Sequence, residues 1–190
     1  MMRGPIAAAT GTGGKWALKE LQSRRLLLSA FGLGAAAILV PLGASAEMPL
    51  RADKIVIMKR RRLLLLLSGG HVIKTYPVAL GPHPVGPKER KGDGRTPEGF
   101  YIIDRRSRDT PYHRALHLSY PNEIDRVLAR EDHVDPGGDI YIHGMPARFG
   151  HTDPVKFFRD WTEGCVSVGN VAIEQIWNAV PDGTPVVIRP

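Results

Sequence analysis

Strand-like and helix-like spacings of apolar residues divide the chain from residue 54 onward into short elements. KIVIMK (54–59) alternates and is rich in β-branched residues, so it predicts a strand with one buried face. LLLLL (63–67) is a continuous apolar run and Ser68-Gly69-Gly70 supplies a turn. HVIKTYPVALG (71–81) then returns with Val72, Thr75 and Val78, which predicts a hairpin. Further strands are predicted at FYIIDRR (100–106), ALHLSY (115–120), DIYIHG (139–144), CVSVG (165–169) and PVVIRP (185–190). Two stretches switch to helical spacing. Within 121–130, Ile124, Val127 and Leu128 form a stripe with Asn122 placed to cap it. Ile173, Ile176, Trp177 and Val180 form a second stripe behind Asn170 as its cap, and Pro181-Asp182-Gly183 ends it.

Between these elements, GPHPVGPKERKGDGRTPEG (81–99) is too rich in glycine and proline for regular structure, and Pro136-Gly137-Gly138 breaks the chain again. No internal repeat or coiled-coil heptad is present. The fold class is mainly β: a mostly antiparallel β-sandwich or open barrel with one or two short helices.

The first 46 residues have a different character. Arg24-Arg25 precede an apolar stretch (26–43), and Ala44-Ser45-Ala46 has the A-x-A form that signal peptidases read. The stretch is short for a spanning helix and is interrupted by Ser29, Gly32, Gly34, Pro41 and Gly43. Residues 1–46 therefore read as a signal peptide, similar to the twin-arginine type. An uncleaved anchor is the alternative. Either reading exports residues 47–190, a size suited to one domain, and places them in the periplasm.

Export changes the meaning of the charge. The whole chain is +7, but residues 47–190 carry 21 Lys+Arg against 18 Asp+Glu. Much of the basicity belongs to the leader, and nucleic-acid binding is not indicated. Arg60-Arg61-Arg62 is the one basic run and reads as a solvated hairpin face.

Cys165 is the only cysteine in the chain, so no internal disulfide is available to it. In an oxidising compartment an unpaired cysteine needs a reason. It is a small buried apolar residue, a metal ligand or a nucleophile. His113, His117, His143 and Cys165 lack the close spacing of a zinc site, and no metal is expected. His143 ends one strand before Gly144, and Cys165 begins another after Gly164. If those strands are neighbours, thiol and imidazole come within reach of each other. A free thiol titrates near about 8.5, and an adjacent imidazolium would lower that value. Amides around a glycine could stabilise an oxyanion, worth about 3–4 kcal/mol in related chemistry. The residues alone leave these readings open.

GPHPVGPKERKGDGRTPEGFY, ALHLSYPN, PGGDIYIHG, DWTEGCVSVGN and VPDGTPVVI, in that order, resemble the L,D-transpeptidase catalytic domain (the YkuD-type fold). The resemblance is nearest to its periplasmic murein branch with a T-x-G-C motif, and it runs from about Asp53 to Ile188. It implies Cys165 as nucleophile and His143 as general acid/base. It also implies an oxyanion hole from the backbone at Gly164, and the Gly144 carbonyl as the group that orients the imidazole. Thr162 and Tyr120 are candidates for substrate contact. Many relatives have S-H-G-C-x-R, whereas Glu163 and Ser167 stand at the histidine and arginine positions here. Arg95, Arg148 and Arg159 are substitutes, on charge grounds, for holding substrate carboxylates.

The implied reaction is acyl transfer on peptidoglycan stem peptides through a Cys165 thioester at diaminopimelate, with D-alanine leaving. The acceptor would be a second stem, a lipoprotein lysine or a D-amino acid, and water would make the chain a hydrolase. No cofactor is expected, and a monomer is. The competing class is a non-catalytic wall-binding domain with a structural cysteine. The 81–99 loop is expected beside the Cys165 strand, with Gly94 and Gly99 at special backbone angles. Arg95 is expected to pair with Asp93 or Glu98, and Lys88 to be dispensable for stability.

Overall fold

The computed structural model describes residues 50–146 and 159–190. The proposed leader and Arg148 lie outside them. The strands are β1 (Lys54–Met58), β2 (Leu63–Ser68), β3 (His71–Pro77), β4 (Gly99–Thr110), β5 (His113–Leu118), β6 (Tyr141–His143), β7 (Val166–Ser167) and β8 (Pro185–Arg189). The helices are α1 (Glu123–Glu131) and α2 (Asn170–Ala179).

All eight strands form one sheet in the order β3-β2-β1-β8-β4-β5-β6-β7. Most pairings are antiparallel, as expected, but β1–β8 and β6–β7 are parallel. The sheet curls until its ends meet. Ala79, just past β3, exchanges two 2.9 Å backbone hydrogen bonds with Ser167 of β7, which closes an open barrel along one short seam. β4 is longer than FYIIDRR suggests. Its register shifts after Ile103 and Ser107 while it changes partner from β8 to β5.

The core follows from strand alternation. Ile55, Ile57, Leu64, Leu66, Ile103, Leu116, Leu118 and Ile142 have no exposed surface, and α2 adds Ile173 and Ile176. Each such burial contributes about 1.5–3 kcal/mol. Trp177 of α2 packs against the Arg106 and Arg114 guanidinium groups, at 4.9 and 5.0 Å from its ring centroid.

Two helix expectations change. Gly169, not Asn170, caps α2. The Asn170 side chain is turned to the loop after β6, where its Oδ1 accepts the Met145 N–H at 2.7 Å. In α1 only Ala129 is buried, while Ile124 and Leu128 are 70% and 54% exposed. That helix is fastened by its end. The Asp125 N–H donates to Asn122 Oδ1 at 3.0 Å, and the Asn122 N–H donates back to Asp125 Oδ2 at 2.9 Å.

The 81–99 loop has no regular structure but is tightly held. Lys59, 1% exposed, donates to the carbonyls of Gly86 and Thr96 and to Glu98 Oε1. Lys88 is also buried, donating to Asp93 Oδ1 at 2.7 Å and to the Arg90 carbonyl at 3.0 Å. It is therefore a structural cation, not a dispensable surface residue. Arg95 pairs with Glu89 at 2.9 Å instead of Asp93 or Glu98, because the Asp93 carboxylate is taken up by Lys88 and by the N–H groups of Glu89, Arg90 and Arg95. Of the basic run at 60–62, Arg62 is not merely solvated. Its guanidinium clasps Asp160 at 2.6 Å, close to the cysteine segment.

Candidate active site

β6 and β7 are parallel neighbours, with Ile142 opposite Val166 and His143 opposite Ser167. Cys165 lies two residues before Ser167, so strand parity puts it on the same face as His143. Both line one cleft of about 860 Å³, whose walls also include Tyr112, Trp161, Thr162 and Asp139. Adjacent parallel strands, which the sequence could only suppose, thus bring the two residues together.

The T-x-G-C turn has a clear local cause. Thr162 Oγ1 donates to the Cys165 carbonyl at 2.7 Å and accepts the Gly164 N–H at 3.3 Å, so one hydroxyl closes the turn from both sides. The turn is tied to the chain after β3. The Thr162 N–H donates to the Leu80 carbonyl, and the Leu80 N–H donates to Asp160 Oδ1, both at 3.0 Å. Gly164 sits at φ +127°, and a Cβ there would come 2.6 Å from the Arg95 carbonyl oxygen. Only glycine fits so close to the 81–99 loop.

His143 is 3% exposed and packs against two rings, Tyr112 at 4.4 Å and Trp161 at 5.8 Å between centroids. Its Nδ1 lies 2.7 Å from the Gly144 carbonyl oxygen. A carbonyl only accepts, so Nδ1 carries the proton and Nε2 is left as the basic nitrogen. Gly144 is boxed in as well: a Cβ would meet Asn170 Oδ1 at 2.7 Å and the Tyr112 carbonyl at 2.9 Å.

The thiol is half-buried and donates to the Asp139 carbonyl at 3.6 Å. Asp139 reaches this place through a left-handed backbone, φ +55°. Desolvation by the cleft walls pushes the thiol up to about 11, a shift opposed by the Tyr141 backbone N–H and increased by the charges of Asp139 and Glu163. Burial pushes the His143 imidazole down to about 4, against the effect of its bond to Gly144. Both shifts favour thiol and neutral imidazole at neutral pH. Burial disfavours both charged forms, which works against the imidazolium-stabilised thiolate weighed in the sequence.

The other predicted residues scatter. Thr162 is in the cleft wall as described. Tyr120 is buried and donates to the Pro136 carbonyl at 2.9 Å. Arg95 lines a neighbouring recess of about 640 Å³ that meets the cleft at Gly92. Arg159 is exposed. Among the described residues, the cations that line the cleft itself are Lys88, which the sequence reading treated as dispensable for stability, and Lys91, which it passed over. So too with Tyr112, Trp161 and Asp139. Trp161 adjoins Thr162, and Asp139 follows Gly137-Gly138, but neither position carries a chemical signature in sequence.

Comparison with known proteins bears on the fold and the family. Escherichia coli K12 YafK, a candidate L,D-transpeptidase, is 30% identical over 111 residues, which is 57% of this chain and 37% of YafK. Among solved structures, the helical cell shape determining protein Pgp2 from Campylobacter jejuni matches with a TM-score of 0.53 and 26% identity. That match covers 71% of this chain and 46% of Pgp2. Bd1075 of Bdellovibrio bacteriovorus matches with a TM-score of 0.50 and 25% identity over 74% of this chain and 48% of its own. The chain thus spans about half or less of these relatives. The family model for the L,D-transpeptidase catalytic domain (YkuD) matches residues 52–188, a stretch that runs from β1 into β8 and holds both His143 and Cys165. The chain belongs to the L,D-transpeptidase catalytic domain family.

Proposed function

We propose that this chain is a periplasmic cysteine acyltransferase acting on peptidoglycan stem peptides, exported by the leader at residues 1–46. The observation that carries the reading is the shared cleft of Cys165 and His143, with His143 Nδ1 held by the Gly144 carbonyl.

The chemistry follows from a neutral resting pair. A stem peptide fills the cleft and places its diaminopimelate carbonyl at the sulfur. His143 Nε2 takes the thiol proton as Cys165 Sγ bonds to the carbonyl carbon. The oxyanion formed is met by backbone N–H groups at Gly164–Cys165, fixed in advance by the Thr162 turn. The tetrahedral adduct collapses and the C–N bond to D-alanine breaks. The departing nitrogen receives the proton from His143 Nε2, leaving a thioester. An acceptor amine, on a second stem or a lipoprotein lysine, then attacks. It gives its proton to His143, and the sulfur leaves and is reprotonated. Lys91, exposed and lining the cleft, takes a substrate carboxylate, the task for which Arg95, Arg148 and Arg159 also stand as candidates on charge.

The test is intact-mass spectrometry of the protein with a stem tetrapeptide ending in diaminopimelate–D-alanine. A thioester adduct that is absent from Cys165→Ala supports the reading. Wild-type protein that forms no adduct and releases no D-alanine refutes it. Adding an amine acceptor separates transfer from hydrolysis by the product formed.

A further inference from the structure

Lys59 is buried at the end of β1, and none of its contacts belongs to the cleft. Its ammonium has three hydrogens and three acceptors: the Gly86 carbonyl at 2.5 Å, the Thr96 carbonyl at 2.8 Å and Glu98 Oε1 at 2.8 Å. Burial lowers its pKa, opposed by Glu98. Taking an ammonium out of water is costly, and apolar packing would hold a strand end without that cost. What apolar packing cannot do is fix three separate points of a loop at once. Gly86 lies near the start of the 81–99 loop, and Thr96 and Glu98 lie at its end.

Between those points the loop reaches the cysteine turn. The Gly94 carbonyl accepts the His83 N–H at 3.1 Å, and a Cβ on Gly81 would sit 2.0 Å from that same oxygen. The next carbonyl, of Arg95, is the one that a Cβ on Gly164 would strike at 2.6 Å. Residues 94–95 are thus wedged between 81–83 on one side and Gly164 on the other. Slack in the loop would let Gly164 turn, and with it the amides proposed to meet the oxyanion.

We infer that Lys59 is a positioning residue for acyl transfer: by pinning both ends of the 81–99 loop it holds the Arg95 carbonyl against Gly164 and so fixes the oxyanion-binding backbone. The inference rests on the acyl-transfer reading. Its test exploits a difference between two reactions of one sulfur. Thioester formation passes through an oxyanion, whereas alkylation by iodoacetamide displaces iodide and forms none.

Wild type, Lys59→Met and Glu98→Gln are compared well below their unfolding temperatures, with the stem tetrapeptide and with iodoacetamide. Lys59→Met is expected to form the thioester at least tenfold more slowly at saturating peptide. Half-saturation and the alkylation rate should stay within twofold of wild type. Glu98→Gln, which keeps the cation and an acceptor oxygen but removes the countercharge, should slow thioester formation about threefold with alkylation unchanged. A folded Lys59→Met that acylates within twofold of wild type overturns the inference, as does alkylation that falls in step with acylation. Should Lys59→Met not fold, Glu98→Gln acylating at the wild-type rate overturns it. Wild type that forms no thioester rejects the acyl-transfer reading and this role together. An active wild type beside an equally active variant rejects Lys59 alone.

Discussion

Thr162 and Cys165 are joined by a 2.7 Å hydrogen bond from the threonine hydroxyl to the cysteine carbonyl, while the same oxygen accepts the Gly164 N–H at 3.3 Å. A single buried hydroxyl therefore sets the turn that presents the thiol. Thr162→Val keeps the shape and removes both bonds, so it should cost about 1–3 kcal/mol in stability. It should also slow thioester formation by tenfold or more. Thr162→Ser should recover most of both. Thermal unfolding and intact-mass kinetics on the three proteins check this.

The neutral resting pair predicts an unusual pH profile. With the thiol near 11, iodoacetamide should react slowly at pH 7 and faster as pH rises past 9. His143→Gln should cut thioester formation by about 10²–10⁴-fold while leaving alkylation above pH 10 unchanged. An alkylation profile with a plateau near neutral pH would contradict the neutral pair.

The same burial has a stability consequence. His143 is held near 4 when folded but takes a proton near 6.5 when unfolded. Between those values the unfolded state binds the extra proton. Stability is then full above about pH 6.5 and falls as pH drops toward 4, by on the order of 3 kcal/mol. His143→Gln should flatten that part of the curve in denaturant titrations at stepped pH.

Lys88 and Asp93 form a pair whose side chains are only 3% and 5% exposed. Lys88→Ala strands the carboxylate and should cost about 3–5 kcal/mol. Asp93 is held down at about 2, against its own desolvation, by Lys88 and three backbone N–H groups. Its contribution is present above the ordinary carboxylate pKa of about 4 and is lost as pH falls through 2. Asp93→Asn should lose that acid-sensitive step, as seen by comparing acid unfolding with wild type.

Gly94 has φ +66°, and an added Cβ would lie 3.0 Å from both His83 and Pro82. Gly94→Val should lower stability by about 1–3 kcal/mol, because valine resists positive φ and the neighbours are already in contact. Reduced thioester formation should accompany it. Melting and turnover equal to wild type would show that the loop is a passive linker.

The strands were legible because alternation is a local property: Ile55 and Ile57, or Leu64 and Leu66, mark a buried face without reference to anything distant. The glycines of the loop were legible for the same reason, and Gly94 and Gly99 do take positive φ. What could not be read is where side chains end after long-range packing. The stripe Ile124, Val127, Leu128 has core spacing, yet the sheet leaves α1 on the outside and reciprocal capping holds it there. Lys88 and Lys59 look like surface lysines until the loop closes over them. Cys165 and His143 were visible as residues, but their protonation is not written locally. It depends on the walls that Tyr112 and Trp161 build, and those come from separate stretches of chain.

β8 lies between β1 and β4, so the β1–β3 half and the β4–β7 half share one ladder strand, with the Ala79–Ser167 bridge as the only other strand pairing between them among the described residues. Ile55 and Val186 meet from opposite ends of the described chain. Until β8 pairs, the ladder between β1 and β4 is missing and each of those strands presents an open edge. Such edges recruit other strands, and pairings this remote in sequence form slowly. A chain in which β8 has yet to pair is thus exposed at both of those edges. The five residues of β8 cover both edges at once, so a proteolytic clip ahead of Pro185 would open the sheet in its middle rather than at its rim.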